Sequence, residues 1–333
     1  MLDDTTGDIA GSPTASRART VLIDCDPGHD DAIALLLAHG SPAIDLVGVS
    51  TVAGNQTLAK ITRNAQSIAA AGGFSHVPIA AGATRGLVTA PFVAADIHGE
   101  SGLDGPHLPE PVAPLDPRHG VQLIIDTVMT RPAGTVTIIA TGPLTNLALA
   151  ARLEPRIVER VREVVFMGGA IQGGNLTPTA EFNIAVDPEA AHVVVHENWE
   201  VTMIGLDVTH LALATTQVRG HLDAVGTTPA RIVGEMLDFY GAAYVTSQGF
   251  ACPPVHDPVA VAAIIDASVL EFRRAPIDVS LAEGPTRGMT VVDLRKPAPE
   301  SCRTRVAVGL DTHRFWALVV DALTRIGEPL AVG

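Results

Sequence analysis

Short runs of apolar and β-branched residues recur along most of the chain, and longer segments with helical periodicity separate them. The runs lie at 20–24, 44–52, 136–141, 163–169 and 201–207. Uninterrupted apolar runs of this length are typical of strands that are covered on both faces of a sheet. The alternation of strands and helices therefore predicts an α/β fold with a doubly wound, mostly parallel, Rossmann-like sheet.

The intervening segments and the end of the chain complete this prediction. Helices are expected at 30–39, 57–71, 120–130, 144–152, 188–198 and 229–248. A small C-terminal antiparallel or mixed element is predicted by three strand-like segments at 275–282, 288–295 and 303–310, before a final helix at 313–326. Because no Gly/Ser-rich or Pro-rich linker divides the chain, we expect a flexible tail at 1–19 and one domain at 20–333.

Composition narrows the classes of partner. The chain has 36 acidic and 22 basic residues and a formal net charge of −14, and it has no basic run that could follow a phosphate backbone. We therefore expect neither nucleic acid nor membrane as a partner. The three cysteines, Cys25, Cys252 and Cys302, are far apart in sequence. They suggest neither a disulfide framework nor a zinc site, which favours a cytoplasmic location.

Four aspartates lie where the first predicted strand gives way to the first helix, at Asp24, Asp26, Asp30 and Asp31. Ligands of open α/β sheets bind beyond the carboxyl ends of the strands. A helix N-terminus stabilises one negative charge by about 0.3–1 kcal/mol. Two carboxylates about 4 Å apart repel each other by roughly 4 kcal/mol at an effective dielectric constant of about 20. The cluster therefore requires a cation, protonation or a wide separation of its carboxylates.

The donors in this segment are hard oxygens, which favour calcium or magnesium over zinc. The spacing is not that of an EF-hand, because neither the glycine nor the final glutamate of that loop is in place. Some of these aspartates could instead cap the helix, and for Asp24 we consider that alternative equally good. Cys25 is interpreted as a small buried residue, because no basic neighbour would activate its thiol.

Other polar residues also gather where apolar strands end or helices begin. These positions are Asn55, Thr141, Asn175, Glu181, Asn183, His256 and Asp257. Amides and carboxylates that can each make two hydrogen bonds suit a ligand rich in hydroxyl groups, such as a sugar. We expect these loops to meet in one crevice.

Several of these segments together carry a family resemblance. They are, in chain order, DCDPGHDDA, VAGNQT, HGESG, ATGPLTN, EFNIAVDPEA and VHDP. In this set and order the chain resembles the inosine–uridine-type nucleoside hydrolases, which cleave the N-glycosidic bond of ribonucleosides to free base and ribose. The similarity runs from about Thr20 to Ile326 and covers nearly everything except the tail.

The resemblance implies a calcium site with one Ca²⁺ per subunit. Asp26, Asp31 and Asp257 would bind the ion through their side chains, and the backbone carbonyl of Thr141 would complete the protein ligands. Asp26 would also be the general base for the attacking water, and His256 would protonate the departing base. Members of the family are dimers or tetramers, so a homo-oligomer is implied as well.

The resemblance also implies how the ribonucleoside substrate is held. The ribose 2′- and 3′-hydroxyls would be bound by Asp30, Asn55 and Asn183. The 5′-hydroxyl would be bound by Asn175 and Glu181. The pocket around the base would be lined by His98, on a mobile loop, and by Met167 and Phe182.

Some residues keep two interpretations. Tyr240 and Tyr244 could contact the base or its leaving group, but residues four apart share a helix face and could equally be core. His256 could be a structural histidine at a helix start. His29 occupies a motif position that is often apolar in the family, and it could tune the charge of the site or point outward. His210 follows a strand end and has no assigned role.

Two other classes of protein compete with the hydrolase prediction. A HAD-like phosphatase also carries a D-x-D sequence after its first strand. The Pro-Gly that follows Asp26, the adjacent Asp30 and Asp31 and the lack of a clear downstream motif lysine argue against it. The other class is a non-catalytic, calcium-dependent ribose-binding protein. The intact base, ligand and acid positions argue against that class.

Overall fold

Parallel strands pair in the centre of the molecule, and their order places the first strand inside the sheet, between the second and the fourth strands of the chain. The computed structural model describes residues 18–247 and 249–327. The strands, numbered in chain order, are β1 (Arg19–Cys25), β2 (Ile44–Thr51), β3 (Ile79–Ala81), β4 (Val136–Ala140), β5 (Val161–Met167), β6 (Val201–Ile204), β7 (Leu270–Arg274), β8 (Ile277–Val279), β9 (Thr290–Val292) and β10 (Thr304–Leu310). In the described part of the chain, eight of them form one sheet in the order β3-β2-β1-β4-β5-β6-β10-β7.

Helices flank this sheet. They are α1 (His29–Gly40), α2 (Leu58–Gly72), α3 (Ala95–His98), α4 (Gly120–Thr130), α5 (Thr145–Leu153), α6 (Ile157–Arg160), α7 (Phe182–Val186), α8 (Pro188–His196), α9 (Leu206–Thr209), α10 (Thr216–Val225), α11 (Thr228–Ser247), α12 (Asp257–Ile265) and α13 (Thr312–Ile326). A short 3₁₀ turn at Ala267–Val269 precedes β7. None of the described helices is long and apolar enough to cross a membrane.

Strand β1 shows why continuous apolar runs form the centre of the sheet. Val21, Ile23 and Cys25 lie in the apolar cluster on one face, and Leu22 lies in the cluster on the other face. Since successive strand residues point to opposite faces, a strand that is covered on both sides needs apolar residues at every position. β1 pairs in parallel with β2 and with β4, so its carboxyl end lies in the middle of the sheet edge.

Helix α1 follows β1 and is buried along nearly its whole length, with only His39 outside its buried set. It packs against α12 and α13. A helix that is apolar on all sides belongs in a core rather than on a surface. Two polar residues, Asp30 and Asp31, are nevertheless buried in its first turn.

The predicted fold class is confirmed: a mostly parallel sheet, flanking helices and a small antiparallel sheet form a single domain. The three predicted C-terminal strands do not form one element but are divided between two sheets. β8 and β9 form the small antiparallel sheet, whereas β10 enters the main sheet, parallel to β6 and antiparallel to β7. The predicted strand at 201–207 ends at Ile204, because the chain turns at Gly205 into α9.

Two of the observed strands, β3 and β7, were not predicted from the sequence. β3 has three residues, too few for a pattern, and β7 reads LEFRR with mostly polar residues at the edge of the sheet. β1 begins at Arg19, within the segment expected to be a tail, and 1–17 lie outside the described residues. Position 248, the predicted end of the long helix, also lies outside them.

The contact between α1 and α13 yields a stability prediction. A Cβ atom added at Gly40 would lie 2.5 Å from the backbone oxygen of Ala322. Such overpacking costs about 1–3 kcal/mol, so Gly40→Ala is expected to lower the free energy of unfolding by that amount in urea denaturation. Gly220→Ala in α10 is the matched control, because its Cβ meets nothing within 4 Å. It should stabilise the protein by up to about 1 kcal/mol. Equal effects of the two substitutions would contradict this account of the packing.

Candidate active site

Three buried carboxyl groups meet at the carboxyl end of the central strands. One ligand oxygen from each of Asp30, Asp31 and Asp257 lies within 4.8 Å of the others. Asp30 and Asp31 come from the first turn of α1, and Asp257 is the first residue of α12. The packing of α1 against α12 therefore brings together aspartates that are more than 200 positions apart in sequence. This group could hold a metal ion.

Asp31 is oriented by the loop around it. Its Oδ2 accepts a hydrogen bond from the backbone N–H of Gly28 at 3.1 Å, and its Oδ1 accepts one from Thr141 Oγ1 at 2.7 Å. The backbone carbonyl of Thr141 in turn accepts from Asn183 Nδ2 at 2.8 Å. Thr141 thus contacts the carboxylate group through its side chain and the amide-bearing loop through its backbone.

Asp26 lies beside this group and has a free ligand atom. Its Oδ2 accepts from the backbone N–H of Asn55 at 2.7 Å, whereas its buried Oδ1 has no hydrogen-bond partner among the described residues. Side chains at Gly54 or Gly142 would collide with this carboxylate. The backbone therefore approaches Asp26 closely on two sides and leaves one oxygen unsatisfied, as expected where an ion or a water completes the contacts.

Burial opposes the ionisation of these carboxyl groups. Burial raises the pKa of Asp26 well above its usual range, and the charge of Asp31 raises it further. The pKa of Asp257 is raised well above its usual range by burial and by the charge of Asp30. Burial also raises the pKa of Asp30 to about 7. Carboxyl groups this close cannot all be ionised without a compensating cation, and oxygen-only donors fit a hard divalent ion.

Asp24 is a structural partner rather than a helix cap. It lies within β1, and its Oδ1 accepts from Ser50 Oγ at 2.5 Å and from Asn146 Nδ2 at 2.8 Å. Burial raises its pKa to about 7. Ser50 lies within a predicted strand and Asn146 ends the ATGPLTN segment, but the sequence analysis assigned neither residue this role, because a single polar residue in a strand or a helix carries no periodic signal.

The segment around Glu181 forms a second wall. Glu181 is the N-cap of α7: its Oε1 accepts from the N–H of Asn183 at 3.0 Å, and its Oε2 accepts from the N–H of Gly169 at 2.9 Å. Asn175 Oδ1 accepts from the N–H of Phe182 at 2.9 Å. Burial raises the pKa of Glu181 to about 7. Asn175, Glu181 and Asn183 are thus held by backbone hydrogen bonds.

His256 sits between two hydroxyl groups. Its Nδ1 lies 2.8 Å from Thr209 Oγ1, and its Nε2 lies 2.8 Å from the hydroxyl of Tyr244. The hydroxyl of Tyr240 donates to that of Tyr244 at 3.3 Å. Burial lowers the pKa of His256 to about 3, so the ring is neutral near neutral pH. His210 packs edge-on against His256 with 5.6 Å between ring centroids, which gives a location to a residue that the sequence left unassigned.

His29 points inward, so the alternative that it faces outward is wrong. It is fully buried, and its Nε2 donates to the backbone oxygen of Asp104 at 2.9 Å. Its Nδ1 lies 3.1 Å from Nδ1 of His98, and its ring stacks on those of His98 and Tyr240. Burial lowers the pKa of His29 to about 4. A neutral aromatic ring at this position packs as an apolar residue would.

One cavity of about 270 Å³ connects these groups. It is lined by residues that the sequence analysis assigned to the site, namely Asp30, Asn55, His98, Thr141, Met167, Asn175, Glu181, Phe182, Asn183, Tyr240, Tyr244, His256 and Asp257. Asp26 and Asp31 do not line it and lie among the buried carboxyl groups. Tyr240 and Tyr244 are buried and also face the cavity, so they combine the two alternatives considered for them.

The cavity has a further wall that the sequence analysis missed. It comes from the segment before and within α3, with Phe92, Ala94, Asp96 and Ile97, and from Leu176. The ring of Phe92 lies 6.0 Å from that of Phe182. Phe92 and Ala94 lie in an irregular segment, whereas Asp96 and Ile97 lie in the four-residue helix α3 and Leu176 precedes α7. Neither periodicity nor a short motif marks these positions as part of a site.

Comparison with known proteins agrees with this geometry. The family model described as inosine-uridine preferring nucleoside hydrolase matches residues 21–317. The inosine-uridine preferring nucleoside hydrolase of Crithidia fasciculata is 54% identical over 93% of this chain and 99% of its own length. The pyrimidine-specific ribonucleoside hydrolase RihB of Escherichia coli O139:H28 is 38% identical over 92% of this chain and 97% of its own.

A solved structure gives the same result. The purine-preferring ribonucleoside hydrolase from Gardnerella vaginalis superposes with a TM-score of 0.87 at 31% sequence identity, and the match covers 93% of this chain and 99% of that one. The family match spans both the aspartate-rich turn after β1 and the start of α12. From the family model and these relatives together, the chain belongs to the inosine-uridine preferring nucleoside hydrolase family, and it is a nucleoside hydrolase.

Proposed function

We propose that this nucleoside hydrolase cleaves the N-glycosidic bond of ribonucleosides with one Ca²⁺ per subunit. The observation that carries the proposal is the single cavity in which buried carboxyl groups, amide side chains and a neutral His–Tyr pair meet. These three kinds of group are the ones needed to hold a cation, to bind sugar hydroxyls and to assist the departure of a base. The family resemblance further supports a homo-oligomer, either a dimer or a tetramer, and the cysteine content supports a cytoplasmic location.

The calcium ligands in this proposal are Asp26, Asp31, Asp257 and the backbone oxygen of Thr141. Oxygen-only donors and the unpartnered Oδ1 of Asp26 support this set. When bound, the ion would lower the pKa of a coordinated water and orient the sugar. Asp30 lies in the same close carboxyl group and also lines the cavity, so its oxygens face both the cation region and the sugar region.

The sugar would be held from two sides. Asp30, Asn55 and Asn183 would bind the 2′- and 3′-hydroxyls, and Asn175 and Glu181 would bind the 5′-hydroxyl. The backbone hydrogen bonds of Glu181 and Asn175 hold these side chains in place before the substrate arrives. Such pre-positioning lowers the entropy cost of reaching the transition state.

The reaction would be a single displacement at C1′ through an oxocarbenium-like state, as in inverting glycosidases. Asp26 would accept the proton of the attacking water on one face of the sugar. On the other face the Tyr244 hydroxyl would give its proton to the departing base and take a replacement from Nε2–H of His256, 2.8 Å away. Because His256 is neutral, it would relay this proton without losing one overall, regaining a proton at Nδ1 from water by way of the Thr209 hydroxyl. Met167, Phe182 and His98 line the part of the cavity proposed for the base.

The first test of this proposal is ribose release with and without calcium. Purified protein is assayed with inosine, uridine, adenosine and cytidine after stripping by a chelator, and again after Ca²⁺ is added back. We expect activity to fall to background on stripping and to return with Ca²⁺. Tight nucleoside binding without turnover in the Ca²⁺-loaded protein would instead support a non-catalytic ribose-binding protein. Phosphate release from phosphoesters would support a phosphatase.

The role of His256 is tested through the leaving group. His256→Ala should lower kcat for inosine by about 10²–10⁴, the usual contribution of general acid catalysis. The loss should be small for a p-nitrophenyl riboside, whose leaving group needs no proton. Tyr244→Phe is the companion variant and should show the same selective loss. An equal fall in kcat for both substrates in His256→Ala would show that His256 has no part in general acid catalysis.

The position of Glu181 predicts that the protein prefers nucleosides to 5′-nucleotides as substrates. A buried carboxylate beside the 5′-position repels a 5′-phosphate, and the net charge of −14 does not offset this. We expect kcat/KM for IMP to be far below that for inosine. Glu181→Gln should narrow the difference, because the amide keeps the shape of the side chain without its charge. Comparable turnover of IMP and inosine by the unaltered protein would contradict the proposed position of the 5′-hydroxyl.

A further inference from the structure

A second group of metal-binding side chains lies outside the cavity, on helix α8 and the small antiparallel sheet. It consists of His192 and His196 on α8 and Asp278 on β8. None of the three lines the active-site cavity. We propose that they form a binding site for a divalent transition metal of the zinc type, separate from the calcium site and independent of the proposed reaction.

The distances between the ligand atoms suit such an ion. His192 Nδ1 lies 3.3 Å from Asp278 Oδ1, and His196 Nε2 lies 3.7 Å from the same oxygen. One ligand atom from each of the three residues lies within 4.8 Å of the others. Ligands that are about 2.0–2.2 Å from a tetrahedral zinc lie roughly 3.3–3.6 Å from each other. The atoms are therefore already close to the spacing that zinc imposes.

The two histidines are one helical turn apart. Positions i and i+4 share a helix face, which is the spacing by which two histidines of a helix bind one zinc ion. The two ring centroids lie 4.1 Å apart. Asp278 reaches the same point from a different element, so the site would connect α8 to β8.

Hydrogen bonds fix the orientation of two of the ligands. His196 Nδ1 donates to the backbone oxygen of His192 at 2.8 Å, since a carbonyl can only accept. His196 Nε2, 3.7 Å from Asp278 Oδ1, is therefore left with a free lone pair. A metal-binding histidine usually donates its other ring N–H in this way. Asp278 Oδ1 accepts from the N–H of Val279 at 2.7 Å, which holds the carboxylate in place.

His192 supplies an observation that points to a ligand. Its Nδ1 is buried and makes no hydrogen bond among the described residues, although Asp278 Oδ1 is only 3.3 Å away. A buried ring nitrogen without a partner calls for an ion or a water. Together with His196 Nε2 and Asp278 Oδ1, it would give three protein ligands and leave a fourth position for water.

The donor set selects the class of metal. Two imidazole nitrogens and one carboxylate suit zinc and its neighbours in the first transition row, whereas calcium and magnesium prefer oxygen ligands throughout. The cavity offers carboxylate and carbonyl oxygens instead. The two sites should therefore differ in the metal that they prefer: calcium in the cavity and zinc at the site on α8 and β8.

The surroundings give the site a rigid base. Arg287, in the turn between β8 and β9, pairs with Glu189 of α8 at 2.6 Å. Asp187, the N-cap of α8, directly follows α7, which carries Asn183. The Arg287–Glu189 pair is one connection between α8 and the small sheet. Zinc at His192, His196 and Asp278 would add a second connection, toward the C-terminal end of the helix.

The proposal is tested by measuring Zn²⁺ binding to the full chain. Protein that is saturated with Ca²⁺ is titrated with Zn²⁺ by calorimetry, and Co²⁺ is used as a probe because its visible absorption reports imidazole ligation. The variants are His196→Gln, Asp278→Asn and the double variant His192→Gln/His196→Gln. His221→Gln is the matched control, because His221 is an exposed histidine on α10, away from this group.

We expect one Zn²⁺ per chain, with a dissociation constant that rises at least tenfold in each single variant and with no measurable binding in the double variant. The control should bind as the unaltered chain does. Zn²⁺ should also raise the Tm of the unaltered chain but not of the double variant. Unchanged Zn²⁺ binding in the double variant, or no binding by the unaltered chain, would overturn the proposal and leave only two His–Asp ion pairs. All variants should retain ribonucleoside hydrolysis in Ca²⁺, which confirms that they fold.

Discussion

The structure depends on the burial of several carboxyl groups at one point, where the central strand ends. Asp26, Asp30, Asp31 and Asp257 are all buried, and burial raises the pKa of each. The charges of neighbouring aspartates raise the pKa values of Asp26, Asp30 and Asp257 further. Without a ligand at this point, the burial of several neighbouring carboxylates would only destabilise the folded protein. The helix starts, the glycines around Asp26 and the hydrogen bonds to Asp31 all hold the carboxyl groups close together. The fold thus builds a group of carboxylates that a bound cation would stabilise.

The same constraint sets the character of the rest of the cavity. In the proposed complex, a cation at one end would leave the sugar between charged oxygens and amide groups, and the base would lie against aromatic rings that burial keeps neutral. His29, His98 and His256 all have pKa values lowered by burial, so they act near neutral pH as polar aromatic groups rather than as positive charges. Charge is therefore concentrated where the proposed oxocarbenium-like state develops, and the region of the leaving group holds protons on hydroxyls and neutral rings.

Much of this could be predicted from the sequence, for identifiable reasons. The central strands are continuous apolar runs, and the aspartates, amides and histidine of the site lie in short segments that together form a recognisable set. Other features had no such signal. β7 is an edge strand of mixed polarity, and β10 resembles any short strand until its neighbours are known. Phe92 reaches the cavity from an irregular segment and Asp96 from the four-residue helix α3, and the position of His29 depends on rings from α3 and α11.

The packing of α1 between α12 and α13 has a consequence for how the protein is made. The first helix carries two of the buried carboxyl groups, but it is enclosed by helices from the last quarter of the chain, one of which supplies Asp257. The main sheet likewise receives β10 between β6 and β7 only near the end of synthesis. Such long-range pairing is slow to form. The site therefore cannot assemble progressively on the ribosome. In a nascent chain α1 can pack against α2 and β2 early, but the surfaces that meet α12 and α13 stay uncovered until almost the whole protein has emerged.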